Sequence, residues 1–554
     1  MPIKNMSADK EDNVLDLPTG ISSFTNIRNW NLLYVDKTDI IYSMLKKDRR
    51  IFLSRPRRFG KTLLASTLKA LFSGQLNYFK NLKIEKLWKE TEKYRVVYLD
   101  FSEIKEKTIP NEMKTKFNEI LRIGFKSAGF TYIPNEMSVI SQLSSWLSEQ
   151  NGDIVLLIDE YDAPLNSNLH NAELFSFAKE LTTEFFTTIK VRDDAFRLVF
   201  ITGIAKFAKA GIFSAMNQIK DISLLPQFGT LLGYTEEEIT QYFGWYLERS
   251  ARTRHESVQE LLDEMREMYD GFCFDQKAHT HVFSPWSVLN FLFDNLDELG
   301  NYWFNSVGNS SVIRNLMQAG LFVKPEQTQR EFSVSLSDLG GSYSIENLKA
   351  PVLMFQTGYL TIKAVDSKIA TLAYPNREVA SSMELLRAEE FTASDNLDFL
   401  GLNNFRSCLR EQNIDGVLEC LNRFFASIAY DRYPVKDEST FRGMLYSLFA
   451  GLDFLALAEH HNNHGSTDLE VLTGAPHKKG TVHWVFELKY SPDSKSVDGA
   501  MKEAVGQTRI RDYGNPNFSS TVVRVAMVFD GEKMIFPFDN LNLKGMMITY
   551  DVYQ

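Results

Sequence analysis

Three stretches of the chain carry side chains of the types and at the spacings that phosphate chemistry needs. The first is Arg55-Pro56-Arg57-Arg58-Phe59-Gly60-Lys61-Thr62. A short apolar run, Ile51 to Leu53, precedes it, and Leu63, Leu64, Leu68, Leu71 and Phe72 follow at helical spacing. Strand, tight loop, Gly-Lys-Thr, helix is the layout of a phosphate-binding loop, although Arg55 stands where the full pattern has its first Gly. Backbone N–H groups of Arg57, Arg58, Phe59, Gly60, Lys61, Thr62 and Leu63 would hold phosphate oxygens at a helix N-terminus, where the dipole adds positive charge. Lys61 would reach the outer phosphates and the Thr62 hydroxyl would ligate Mg²⁺. The second stretch is an apolar run, Ile154 to Ile158, closing in Asp159-Glu160. Asp159 would hold the Mg²⁺ water shell, and Glu160 would orient and polarise the water that attacks a γ-phosphate. The third comprises Asp468, Glu487-Leu488-Lys489 and Gln507. Glu487 and Lys489 are two apart, so on a strand they share a face. With Asp468 on the neighbouring strand, Asp468, Glu487 and the Leu488 carbonyl would bind Mg²⁺. Lys489 would position or help deprotonate the attacking water in phosphodiester cleavage.

These groups need a scaffold, and the pattern supplies an α/β one. Val96 to Asp100 is a continuous apolar run ending in an acid, as in a strand of a parallel sheet buried on both faces, and Leu198 to Gly203 is a further β-type run. Thr202 ends the latter run and is expected beside the γ-phosphate; a strand-capping Thr is the competing reading. Arg192 and Arg197 precede that strand, as charge-stabilising fingers or as solvated surface residues. Thr235 and Glu238 have capping-box spacing and open an aromatic, helical region that reads as a lid. Within it Tyr302, Trp303 and Phe304 are expected in the core rather than stacked on bases. Met354 to Ile362 and Ile369 to Ala373 read as a strand pair. Further on, Glu438 opens a helix, Phe454 to Glu459, Asp468 to Leu472 and Val482 to Lys489 read as strands, and Ala500 to Arg511 reads as a helix with Gln507 facing the site. The expected division is 17–230 (ATPase), 231–345 (lid), 346–425 (connection) and 426–554 (last domain).

With 554 residues, 44% hydrophobic and 24% charged, the chain has the balance of a multidomain globular protein. No apolar run is long enough for a membrane span, and the polar, acidic start carries no signal-peptide core, which points to the cytoplasm. Cys273, Cys408 and Cys420 are scattered, against a disulfide framework or a cysteine zinc site. His460, His461 and His464 read as a solvated turn rather than a metal site. A net charge of −10 argues against a general nucleic-acid glove. Basic charge is instead concentrated around the first loop, from Lys46 to Lys61, where nucleotide phosphates explain it most simply.

The blocks Arg55 to Thr62, Asp159 to Pro164 and Thr202 to Asn217 resemble those of the predicted AAA-ATPase-like family of bacterial proteins. Tyr269 to Phe272, Phe283 to Val288 and Asn301 to Phe304 resemble further blocks of that family, whose phosphate loop carries the same Arg in place of the first Gly. The resemblance implies a nuclease-like domain after the ATPase. Asp468, Glu487-x-Lys489 and helical Gln507 are similar to the PD-(D/E)XK nuclease superfamily, which implies a restriction-endonuclease-like α/β domain. Glu438 and Glu459 also fall where that branch often carries acids. The branch commonly has Gly-Arg-x-Asp, whereas here Ser466 replaces the Arg.

Together these imply an ATP- and Mg²⁺-dependent or ATP-regulated nuclease acting on nucleic acid, DNA before RNA, with a defence or mobile-element role by analogy. AAA-like ATPases often complete their sites across subunits, so a homo-oligomer is one expected form, although no clear finger motif marks it. The alternative is a nucleotide-driven switch or assembly platform whose last domain binds nucleic acid without cutting. A peptide- or protein-directed ATPase is a third reading.

Overall fold

Ile154 to Ile158 and Val199 to Ile201 become strands wholly shielded from solvent, whereas Val96 to Asp100, expected to be buried on both faces, forms an edge strand in which only Val97 and Leu99 are buried. The structure, a computed structural model, describes residues 14–104, 109–168, 171–206, 218–294, 299–303, 313–314, 317, 331–341, 349–392, 404–462, 465–474, 481–510, 521–532 and 548–553. The resemblance block from residue 207 to Asn217 and residues Phe304, His464 and Arg511 lie outside that set. Two compact units emerge, residues 1–312 with 331–376 and residues 313–330 with 377–554.

In the first unit, β1 (Arg50–Ser54), β2 (Arg95–Asp100), β3 (Ile154–Asp159), β4 (Phe196–Gly203) and β5 (Lys220–Asp221) form one sheet in the order β2-β3-β4-β1-β5. Every pairing is parallel. The loop after β1 ends at Gly60, whose φ of +93° only glycine adopts easily, and the Lys61–Phe72 helix starts there. This helix packs on β2 and β3.

Arg55 explains itself once folded. It is 1% exposed, its guanidinium donates to the Ser54, Ser223 and Phe228 carbonyls, and it lies 4.3 Å from the centre of the Phe274 ring. It therefore ties the phosphate-type loop to the segment following β5, a task glycine cannot perform. Arg55→Gly restores the usual motif yet is expected to destabilise the first unit by about 3 kcal/mol, because three buried carbonyls lose their donor. Denaturant unfolding checks this, and unchanged stability would remove the proposed tie.

Capping boxes start the Glu236–Thr253 and Val258–Tyr269 helices at Thr235/Glu238 and Ser257/Glu260. With the Pro285–Asp294 helix they enclose a core that also takes in Leu17, Leu33 and Val35 from the chain's start. Trp303 is 1% exposed and packs edge-on against Phe59 in the core, not on a base-stacking surface. A small sheet of β6 (Phe332–Ser335), β7 (Thr361–Asp366) and β8 (Ile369–Ala373) runs in the order β6-β8-β7. Met354 to Thr357, expected in a strand, instead end the Ala350–Thr357 helix. A short apolar run reads alike for a buried helix and a strand. Pro351 in the first turn and Gly358 at φ +89° favour the helix.

The second unit centres on a mixed sheet of β9 (Leu455–Asn462), β10 (Gly465–Leu472), β11 (Val482–Ser491), β12 (Thr521–Asp530) and β13 (Ile548–Tyr553). The order is β13-β12-β11-β10-β9, with β11 and β12 parallel and the other pairs antiparallel. The Glu438–Gly451 helix packs against β9, β10 and β11, and the Val497–Ile510 helix against β11 and β12. The Arg377–Phe391 helix lies alongside the first of these, so close that a Cβ on Gly451 would stand 2.7 Å from Leu385 Cα. Among the described residues no helix is long and apolar enough to cross a membrane.

Candidate functional site

A cavity of about 470 Å³ opens beyond the C-terminal ends of β1 and β3. Arg57 to Leu64 and Glu160 form one side; Leu33 to Val35, Leu231 to Tyr234 and Trp286 contribute to the rest. All of the loop residues expected to hold phosphate thus meet at one wall. Lys61 Nζ donates to the Arg55 and Pro56 carbonyls at 3.0 and 2.9 Å. Burial pushes its pKa down, while Glu160, Asp159 and Asp162 pull against that. Arg58 has φ +67° and lays its guanidinium 4.1 Å from the centre of the Trp286 ring.

Asp159 is 1% exposed and held on both sides. Thr202 Oγ1 donates to one carboxylate oxygen and Tyr98 OH to the other, the latter at 3.2 Å. Thr202 is fully buried, and neither it nor Asp159 lines the cavity; its hydroxyl is committed to the Asp159 carboxylate. Tyr98 is a member of this site that the sequence did not reveal, because its role depends on the β2–β3 register. Glu160 turns out of the strand with φ +48°, a backbone conformation costing a non-glycine residue about 1–3 kcal/mol, and reaches the cavity wall. Burial raises its carboxyl pKa, with Lys61 and Arg57 acting to lower it. Tyr161 and Asp162 then anchor the end of β4: Tyr161 OH donates to the Ala205 carbonyl, and the Ile204 and Ala205 amides donate to Asp162. A carboxylate and a Thr62 hydroxyl at the helix start are hard oxygen donors, which fits Mg²⁺.

Neither candidate finger reaches this wall. Arg197 is paired with Glu90 at 2.6 Å and lies over Phe72 and Tyr94, while Arg192 donates to Ser144. Both belong to the opposite end of β4, where the strand begins.

The second site forms where β10 and β11 meet the start of the Glu438–Gly451 helix. Asp437 caps that helix through the Thr440 amide, which puts Glu438 in its first turn. The Leu488 amide donates to Asp468 at 2.7 Å, fixing the two strands' polar ends together. Lys489 Nζ lies 3.2 Å from Glu438 and 3.6 Å from Glu487, and it donates to the Leu488 carbonyl. Burial alone would lower the Lys489 pKa, but Glu438, Asp468 and Glu487 hold it above the ordinary lysine range. The ammonium is therefore charged throughout the neutral range. Its contribution to folding is present below the usual lysine value and is lost as pH rises through the raised one.

Arg442, one helical turn after Glu438, joins the same cluster. It pairs with Glu459 and stands 3.6 Å from Asp468. Glu459, on β9 next to Ala458, which pairs with Leu469, has φ +50°. Arg442 was missed, although its i,i+4 spacing from Glu438 was a visible signal. It thereby places a guanidinium beside Asp468. Gln507 is half-buried and donates to Glu503 on its own helix, rather than to the cluster. Two carboxylates and a backbone carbonyl form an all-oxygen set suited to Mg²⁺. Among the described residues no three carboxylate, imidazole or thiol groups already stand at cation-binding spacing, and here the Lys489 ammonium compensates the acids.

Residues 18–213 match the family model described as Predicted AAA-ATPase, and residues 436–537 match that of the PD-(D/E)XK nuclease superfamily. Over 469 residues the chain is 29% identical to the uncharacterized protein in the vnfD 5' region of Azotobacter chroococcum mcd 1, which covers 82% of this chain and 87% of that protein. The phosphate-type loop with its acidic pair thus falls within the match to the predicted AAA-ATPase model, and the Asp/Glu-x-Lys cluster within the match to the PD-(D/E)XK nuclease superfamily.

Proposed function

We propose that the chain hydrolyses ATP at the Lys61/Glu160 cavity and cleaves nucleic acid, DNA before RNA, at the Asp468/Glu487/Lys489 cluster, with ATP regulating the cutting. The observation that carries this reading is one cluster in which Asp468 accepts from the Leu488 amide, Lys489 donates to the Leu488 carbonyl, and Glu487 lies 3.6 Å from the Lys489 ammonium. Mg²⁺, when bound by Asp468, Glu487 and the Leu488 carbonyl, supplies charge stabilisation to the phosphodiester. Lys489 then holds the attacking water and balances the acids, while Arg442 keeps Asp468 turned toward the cluster. In the ATPase cavity, Lys61 binds the outer phosphates and Glu160 orients water. A defence or mobile-element setting is compatible with a regulated nuclease.

The test is incubation of plasmid, single-stranded DNA and RNA with Mg²⁺, with and without ATP, using the wild type and Lys61→Ala. Cutting that changes with ATP, and no longer does so in Lys61→Ala, supports the reading. ATP hydrolysis without cutting of any substrate rejects it in favour of the switch or platform. That second reading draws on the Lys489–Glu438 contact, in which the chain's own ammonium already compensates the acids.

Arg442→Met separates the two further. As a residue that orients a metal-binding carboxylate, it is expected to lower cleavage about 10–100-fold at subsaturating Mg²⁺. Titrating Mg²⁺ against the cleavage rate measures this, and a wild-type titration curve would deny Arg442 the role.

A further inference from the structure

Three arginines stand in the loop between β1 and the Lys61–Phe72 helix, and two of them are committed. Arg55 is buried beneath the loop on three carbonyls. Arg58 is laid on Trp286, a cation–π contact. Arg57 is different. It is half-buried, it lines the cavity together with Lys61, Thr62 and Glu160, and among the described residues it makes no hydrogen bond or ion pair. Its charge is nevertheless felt at the groups around it, opposing protonation of Lys61 and favouring the ionised form of Glu160.

Two cations at one wall repel each other, and the repulsion becomes attraction only when a polyanion enters. A guanidinium also presents a planar fork that matches phosphate oxygens. The two arginines before β4 do not reach this wall: Arg197 is tied to Glu90 and Arg192 to Ser144, at the far end of that strand.

We propose that the Arg57 guanidinium compensates the charge developing on the outer phosphate during hydrolysis. It comes from the same chain that carries Lys61 and Glu160, so the ATPase site needs no arginine from a neighbouring subunit. The inference rests on the ATPase reading above. In the step concerned, a water oxygen bonds to the γ-phosphorus. The bond from that phosphorus to the β,γ-bridging oxygen breaks, its electron pair leaves on ADP, and the water proton passes to the Glu160 carboxylate. Arg57 gives and takes no proton; it binds the outer oxygens more tightly as their charge grows.

The experiment compares the full chain with Arg57→Ala, Arg57→Lys and Arg192→Ala, measuring ATP affinity, steady-state turnover and turnover per chain on dilution. Arg57→Ala is expected to lose about 10³-fold or more in kcat, the scale set by arginine fingers, with a far smaller change in ATP affinity. Arg57→Lys recovers part of the loss, Arg192→Ala matches the wild type, and turnover per chain is independent of dilution. Because Arg57 holds no partner, thermal unfolding of Arg57→Ala should match the wild type, which keeps the loss from being a folding defect. Wild-type turnover in Arg57→Ala, an equal loss of affinity and kcat, or a per-chain rate that collapses on dilution each overturns the proposal. If the wild type hydrolyses no ATP, the ATPase reading itself fails, a result distinct from hydrolysis that ignores Arg57.

Discussion

Lys489→Ala is expected to lower Mg²⁺-dependent cleavage by about 10²–10⁴-fold, the range for a group acting on a reacting water, while ATP hydrolysis continues at the wild-type rate. The lysine is central to the acidic cluster: Glu438 and Glu487 both face its ammonium, and the Leu488 carbonyl accepts from it. Those acids hold its pKa up, so its service is that of a cation, not of a neutral amine. The cleavage rate should accordingly show no rise with pH that depends on Lys489 losing its proton. Removing the side chain leaves three acids to repel one another, so thermal unfolding should accompany the activity assay. Glu438→Gln provides the companion measurement, because it removes one acid of the cluster, and its ion pair with Lys489, while the lysine side chain stays in place. A Lys489→Ala protein that folds and still cuts at the wild-type rate would end the nuclease assignment of this cluster.

Glu160→Gln carries the second large effect, a loss of about 10²–10⁴-fold in ATP turnover with nucleotide affinity retained. The amide keeps the shape and the φ +48° position but cannot polarise water as a carboxylate does. Burial raises the Glu160 pKa, and Lys61 and Arg57 only partly oppose it. The active form is the ionised one, so turnover falls as the pH drops through that raised value. The acid limb of the kcat profile should thus lie above the ordinary glutamate range and vanish in Glu160→Gln. A limb that survives the substitution belongs to another group.

The motifs were legible because their chemistry is local. Gly60-Lys61-Thr62, Asp159-Glu160 and Glu487-x-Lys489 each lie within a single strand end or turn, and the runs beside them have the apolar continuity of buried strands. What was not legible depends on register. Tyr98 meets Asp159 only because β2 pairs with β3 with Asp100 opposite Asp159. Thr202 was placed beside a phosphate, yet the β3–β4 pairing turns its hydroxyl onto Asp159. Arg442 sits at a legible i,i+4 spacing from Glu438, but its approach to Asp468 crosses a helix–sheet contact that the spacing does not encode. The Met354 to Thr357 misassignment had another origin, since a buried helix and a buried strand share the same apolar composition.

The strand order also sets a length scale. β4 lies between β1 and β3, so the phosphate-type loop and the acidic pair are separated by two interstrand steps, on the order of 10 Å. Backbone hydrogen bonds fix that gap, and no side chain of the loop contributes to it. The loop could therefore exchange a glycine for the buried Arg55 without altering the span between Lys61 and Asp159. A sheet used as a ruler lets the sequence drift at its marks while the distance between them stays constant.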